Sequence, residues 1–345
     1  MLRIYRKLLS LCLCPLMLMG AFSACGNTAK PVETTQPIPT EPAEEAKVLK
    51  ILTLGSSSTV DACHMLNMIL GTEGTGDYEE VIVGTLYYSG CKLSQHVSFL
   101  SSNRPEYTLY LSSSATPHKP PETMEGTTME TALKFNYWDI IFLQAAGGDL
   151  DQESAFTNGN IQTIQDYVNK HKRNPLAYFG WHFTCIPPEN QELLNKYPYT
   201  PNPYIATLDR YNNDRETCYK ARAAMIEKFV FPDETIDLKV CSITAVMNAC
   251  TSYLEETDLY RDYTHSSDLA RVMTAYVWYC RLMGIEKLET VKLDTIPKQF
   301  LKSTPDKTQD RVITEAEKAI ILESVNNALA HPLEITQSQY TQAPQ

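Results

Sequence analysis

The chain has 345 residues, with 41 acidic side chains against 30 lysines and arginines and a formal net charge of −11. That sign argues against nucleic acid or an anionic lipid surface as a partner, since either would repel a net anion. The length suits one large α/β domain or two small ones, and no internal Pro/Gly/Ser-rich linker or repeat divides it, so a single domain is expected over residues 48–333.

In chain order, Arg3, Arg6 and Lys7 precede an apolar run, Leu8 to Phe22, too short for a comfortable membrane span. Residues 1–24 therefore read as an export signal. It ends Phe22-Ser23-Ala24-Cys25-Gly26, which resembles a bacterial lipoprotein processing site and implies lipid on Cys25. Phe22 stands where an aliphatic residue is usual, and an ordinary cleaved signal or a retained helix is the alternative. Residues 25–47, rich in Thr, Pro, Glu and Ala, lack the apolar surface to fold and read as a tether. On this reading the protein is lipid-anchored outside the cell, and the lipid is its one contact with the membrane.

Val48 to Leu54 is a continuous apolar strand broken only by Lys50 and Thr53, and Asp61 to Leu70 follows as a helix. Further strands are expected at Tyr78–Tyr87, Trp138–Leu143, Leu176–Phe183 and within Ile236–Met247. Helical periodicity marks Ile161–His171, Arg215–Phe229, Ser267–Met283 and Thr314–Leu329, the last opening on Thr314 as N-cap with Glu317 at the capping-box position. Residues 92–135 read as a long insertion or a small hairpin, and residues 334–345 as a flexible tail. Alternation of strand and helix predicts a three-layer α/β/α fold with a mostly parallel central sheet.

Once Cys12, Cys14 and Cys25 are set aside, Cys63, Cys91, Cys185, Cys218, Cys241, Cys250 and Cys280 remain. An odd set cannot pair completely within one chain, and neither Cys-x-x-Cys nor zinc-finger spacing occurs. Most are expected as small buried apolar residues. One disulfide is compatible with export, but its partners cannot be read. His64 and His96 lack partners at metal-ligand spacing, and His182, between Trp181 and Phe183, reads as structural or substrate-lining. Neither a metal nor another cofactor is expected.

Four short blocks carry the chemistry: Gly55-Ser56-Ser57 after the first strand, Ser89-Gly90-Cys91 after the second, Trp138 to Gln144 at the third, and Asp262-Tyr263-Thr264-His265 near the end. Their content and order resemble the SGNH (GDSL-type) hydrolases, especially a branch of exported bacterial proteins, over roughly residues 48–330. The resemblance implies a flavodoxin-like α/β/α domain in which Ser57 is the nucleophile, His265 its base and Asp262 the orienting carboxylate. It also implies an oxyanion hole from the backbone N–H groups of Ser57 and Gly90 and the side-chain amide of Gln144. Three positions depart from that pattern. Ser56 replaces an Asp or Asn, Gln144-Ala145 stands where a Gly-x-Asn is expected, and Tyr263 occupies a place where glycine is common.

The implied activity is hydrolysis of an ester through an acyl-enzyme, with O-acetyl or another small acyl group on a carbohydrate as the substrate suggested by family habit and surface location. Each residue has a plainer reading too. Ser57 and Asp262 could be helix N-caps, and Gln144 could satisfy loop backbone. The competing reading is a non-catalytic surface lipoprotein that binds a glycan or peptide with a degenerate site.

Overall fold

The computed structural model describes residues 46–303 and 307–343. The expected signal, Cys25 and the expected tether up to residue 45 lie outside the described residues. Elements run β1 (Val48–Gly55), α1 (Ser57–Glu73), β2 (Glu80–Tyr87), α2 (Leu93–Leu100), β3 (Tyr107–Ser113), β4 (Glu122–Thr127), α3 (Met129–Phe135) and β5 (Ile140–Leu143). They continue with α4 (Glu153–Thr157), α5 (Asn160–His171), β6 (Tyr178–His182), α6 (Gln191–Leu194), α7 (Pro203–Asp209), α8 (Arg215–Phe229) and β7 (Ile236–Val240). The last are α9 (Ile243–Ala249), α10 (Glu256–Leu259), α11 (Asp268–Met283) and α12 (Glu315–Ala330).

The main sheet has seven strands in the order β4-β3-β2-β1-β5-β6-β7. From β2 to β7 every pairing is parallel, and β3 and β4 extend the β2 edge as an antiparallel hairpin. Helices cover both faces. On one, α1 packs on α11, α11 on α12 and α12 on α9; elsewhere α5 packs with α2 and α3. Burial on both faces explains why β1 and β5 are apolar runs with no alternation: Leu52 to Leu54 and Ile140 to Leu143 are all buried. This is the mostly parallel α/β/α fold that the alternating pattern predicts.

The chain leaves β1 to build β2 on one side and later returns to place β5 on the other. The crevice at the carboxyl ends of β1 and β5 is thus a topological switch point, the usual ligand position in open α/β sheets. Local sequence sets the edges of that crevice. Ser267 caps α11 by accepting from the Ala270 N–H, and Asp214 caps α8 through the Thr217 N–H. The Thr314–Glu317 capping box of α12 forms as expected.

Two expectations need revision. Residues 92–135 hold the hairpin, but also α2 and α3, which the polar runs concealed. The expected flexible tail is, over residues 336–340, hydrogen-bonded to the body. The Thr336 N–H donates to Asn248 Oδ1 and the Ser338 N–H to Thr251 Oγ1, each at 2.8 Å. The Tyr253 N–H donates to the Tyr340 carbonyl, also at 2.8 Å. Polar side chains at the end of α9 hold this segment, so no apolar pattern signals it. Among the described residues no helix is long and apolar enough to cross a membrane. All seven described cysteines are free thiols, five of them buried, and burial pushes the Cys63 and Cys241 thiols up to about 12.

Candidate active site

β1 ends at Gly55, Ser56 turns the chain with extended backbone (φ −118°, ψ −167°), and Ser57 is the first residue of α1. A Cβ at Gly55 would lie 2.4 Å from Thr59 Oγ1, so only glycine lets the strand enter the helix this closely. Ser57 Oγ lies 2.9 Å from His265 Nε2. On the far side of the ring, Nδ1 lies 2.8 and 2.9 Å from the two carboxylate oxygens of Asp262. Residues 208 positions apart in the chain therefore meet in one relay.

Asp262 is built to stay charged. Burial by itself would raise its carboxyl, but hydrogen bonds from the His265 ring and from the backbone N–H groups of His265 and Thr264 outweigh it and hold the group below its ordinary value. Those backbone bonds, 3.0 and 3.1 Å long, also curl residues 262–265 into a fixed turn. A carboxylate only accepts, so Nδ1 carries the imidazole proton and Nε2 faces Ser57 with a lone pair. That is the tautomer a general base needs.

The turn is braced against α1, the helix that opens on Ser57. Arg261 Nη1 lies 3.0 Å from Asp61 Oδ2, and Asp61 sits one helical turn beyond Ser57 on α1. Arg271 of α11 approaches the other Asp61 oxygen at 3.5 Å and Asp268 at 3.1 Å. One buried carboxylate on α1 thus ties down the loop that holds Asp262 and His265.

Gly90 adopts φ +58°, a left-handed conformation that favours glycine, and lines the same cavity as Ser57. Gln144 does not line it. Its Nε2 donates to Ser56 Oγ at 2.5 Å, its Oε1 accepts from Thr59 Oγ1, and the side chain is fully buried. The amide expected to face an oxyanion is instead turned beneath the turn, because Ser56 and Thr59 are the partners within its reach. Below it, His182 Nε2 accepts from Trp278 Nε1 at 3.2 Å and faces Ser242 Oγ at 2.7 Å. Indole N–H only donates, so His182 carries its proton on Nδ1, toward Thr59 Oγ1 at 3.4 Å. Burial lowers this imidazole to about 3, which suits a neutral structural histidine.

The cavity measures about 350 Å³ and is floored by Ser57, Ser58 and Gly90. Its far wall comes from Gly147 and Gly148 after β5, Tyr204 and Arg210 of or beside α7, and Arg222 of α8. Sequence reading missed α6 and α7 and these wall residues. Tyr263, in the glycine-like position, packs on Tyr197 and Tyr204 with ring centroids 4.9 and 4.8 Å away and meets His265 edge-on at 5.7 Å. It joins the wall to the turn that bears His265. One signal was available: Arg222 falls among Cys218, Tyr219, Ala223 and Ile226, the buried face of α8, where a charge is out of pattern. Among the described residues, no group of three or more His, Cys, Asp or Glu side chains is arranged to hold a metal ion.

Comparison with known proteins places this geometry in a family. A crystal structure of a DUF4886 family protein from Bacteroides uniformis ATCC 8492 superposes with a TM-score of 0.65 at 18% identity, covering 86% of this chain and 100% of that one. A proposed SGNH hydrolase from Slackia heliotrinireducens aligns with a TM-score of 0.38 at 14% identity over 68% of this chain and 100% of that one, a likeness too slight to carry an argument. No curated protein matches the sequence. Residues 50–300 match the family described as "Domain of unknown function (DUF4886)", and the chain belongs to that family.

Proposed function

We propose that the protein is an extracytoplasmic serine esterase of SGNH type, anchored by lipid on Cys25, that removes O-acetyl or another small acyl group from a carbohydrate. The observation that carries the catalytic part is the continuous Ser57–His265–Asp262 relay, with contacts of 2.9 Å and 2.8 Å. The export signal, the surface location and the carbohydrate rest on the sequence reading alone.

In the first half-reaction Ser57 Oγ attacks the acyl carbonyl while its proton passes to His265 Nε2. The imidazolium so formed is stabilised by Asp262. Negative charge on the carbonyl oxygen is received by backbone N–H groups of Ser57, at the start of α1, and of Gly90, and the helix dipole adds to both. His265 then protonates the departing alcohol and leaves Ser57 acylated. In the second half a water surrenders a proton to His265 and attacks the acyl carbon, and His265 returns that proton to Ser57 Oγ as the acid departs, restoring the free serine and the neutral imidazole.

The test is release of acetate from a short-chain acetyl ester by the full chain beside Ser57→Ala. Turnover is expected in the wild type and to fall by at least about 10³-fold in the variant, with thermal stability unchanged. Equal turnover in both would remove the relay from the chemistry. One observation favours the non-catalytic glycan- or peptide-binding reading: Gln144 gives its amide to Ser56 and not to the cavity. A folded wild type that binds acetylated sugars and hydrolyses none would establish that reading.

A further inference from the structure

Resting on that reading of the site, we propose that the cavity takes a carboxylate-bearing ligand, the ester substrate itself, and that Arg222 receives the carboxylate. Arg222 is only 2% exposed, yet it lines the cavity into which Ser57 opens. Its Nη1 donates to the Cys185 carbonyl at 2.7 Å, and its Nε is buried without a partner. A buried guanidinium whose hydrogen-bonded partner is a neutral carbonyl is costly to fold, and it pulls strongly for an anion.

The surroundings agree. Lys92 and Arg210 also line the cavity, and none of its lining residues is a carboxylate. The nearby acids are already engaged, Asp149 on Lys92 at 2.7 Å and Asp151 on Arg210 at 2.6 Å, although, against burial, the Arg222 charge also helps hold the Asp151 carboxyl below its ordinary value. Backbone without side chains lines the cavity beside Arg222. A Cβ at Gly147 would lie 2.8 Å from Cys185 Sγ and 3.8 Å from Arg222 Nη1, whereas the space beside Gly148 is empty to 4 Å. The Nε side of a guanidinium pairs with a carboxylate through two parallel hydrogen bonds, a match that lysine cannot make. A carboxylate fixed there would orient the rest of the molecule toward Ser57 across a space of monosaccharide size.

The competing explanation is a water that bridges Arg222 to Asp151 Oδ1, which is also buried without a partner. It makes Arg222 a packing residue with no preference among ligands. The two explanations separate on a pair of probes that differ in charge alone: methyl tri-O-acetyl-glucopyranosiduronic acid and its primary carboxamide. With the wild-type full chain and released acetate as readout, the acid is expected to be preferred in kcat/KM by on the order of tenfold, chiefly through KM. Arg222→Gln is expected to abolish the preference, and Arg222→Lys to retain part of it. Equal kcat/KM for both probes in the wild type overturns the proposal, whatever the variants do.

Calorimetric titration with the deacetylated methyl glucuronoside and its carboxamide keeps the test independent of turnover. Binding of the acid alone by wild type, lost in Arg222→Gln, upholds the carboxylate site even if neither ester is hydrolysed, and the esterase reading then fails separately. Equal binding of both, or of neither, overturns the carboxylate site.

Discussion

Asp262 does its work by accepting, and that makes its charge separable from its shape. In Asp262→Asn the amide can turn its N–H₂ toward His265 Nδ1, which moves the imidazole proton to Nε2 and leaves Ser57 facing a donor. The variant should keep the fold while kcat falls by roughly 10³–10⁴-fold. The sign of its stability effect follows from the same bonds. The carboxyl is held below its ordinary value, so its contribution is present above the normal carboxylate range and fades as pH falls through the folded value. Thermal unfolding should therefore show the variant less stable than wild type at pH 7 and the gap closing only as the pH falls below the ordinary carboxylate range. A gap that is constant with pH would mean that Asp262 contributes packing and not charge.

α1 carries two kinds of residue: Ser57, hydrogen-bonded to His265, at its first position, and one turn on, the Asp61 carboxylate that holds the 262–265 turn. Asp61 faces both Arg261 and Arg271 while nearly fully buried. Asp61→Asn would take one anion from each guanidinium, leaving Arg271 with Asp268 at 3.1 Å and Arg261 with Asp262 at 3.9 Å, so the loss stays below the roughly 3–5 kcal/mol of a buried pair broken outright on one side. The expected result is a drop in urea midpoint together with a fall in kcat, since the turn bearing His265 loses its brace. Arg261→Lys, which keeps the charge, should recover part of both. Elements like α1, β1, β5, α8 and α12 were legible because their signals are local. Trp138 to Leu143 is apolar on both faces, and Thr314 with Glu317 announces a helix start. The relay was legible because Ser57, Asp262 and His265 each sit at the boundary of such an element. What stayed hidden depends on distant partners. The Gln144 amide is aimed by Ser56 and Thr59, 88 and 85 residues away. α7 half-buries its tyrosine against Tyr197 and against Tyr263, which arrives from a different part of the chain, and no spacing in 184–214 encodes that.

At the scale of the whole domain, three imidazoles are held in the neutral state; His64 is lowered to about 3, chiefly by burial and further by the charges of Arg271 and Lys302. His96, 1% exposed and 2.8 Å from the Tyr107 hydroxyl, is lowered to about 4 by burial, and His182, 2% exposed, to about 3 by burial. In the unfolded chain all three titrate near 6.5, so between that value and the folded ones the unfolded state binds more protons. Stability conferred by neutral burial is full above about pH 6.5 and is lost as pH falls. At pH 5 each histidine costs roughly 2 kcal/mol, a large share of a typical domain's total. Urea midpoints should fall steeply from pH 7.5 to pH 5, and His96→Gln should flatten the slope; a flat wild-type profile would show that these rings can protonate in place. The central position of β1 has a mechanical consequence as well. All eight of its residues are in register with β2, and its other edge pairs with β5. A pull on the chain ahead of Val48 would load this strand in shear between two parallel neighbours, where the bonds must fail together and not one at a time. Ser57 lies two residues beyond the end of that strand. The force that extracts β1 would therefore drag Ser57 from His265 in the same event, so under tension the domain either keeps both its sheet and this contact or loses them at once.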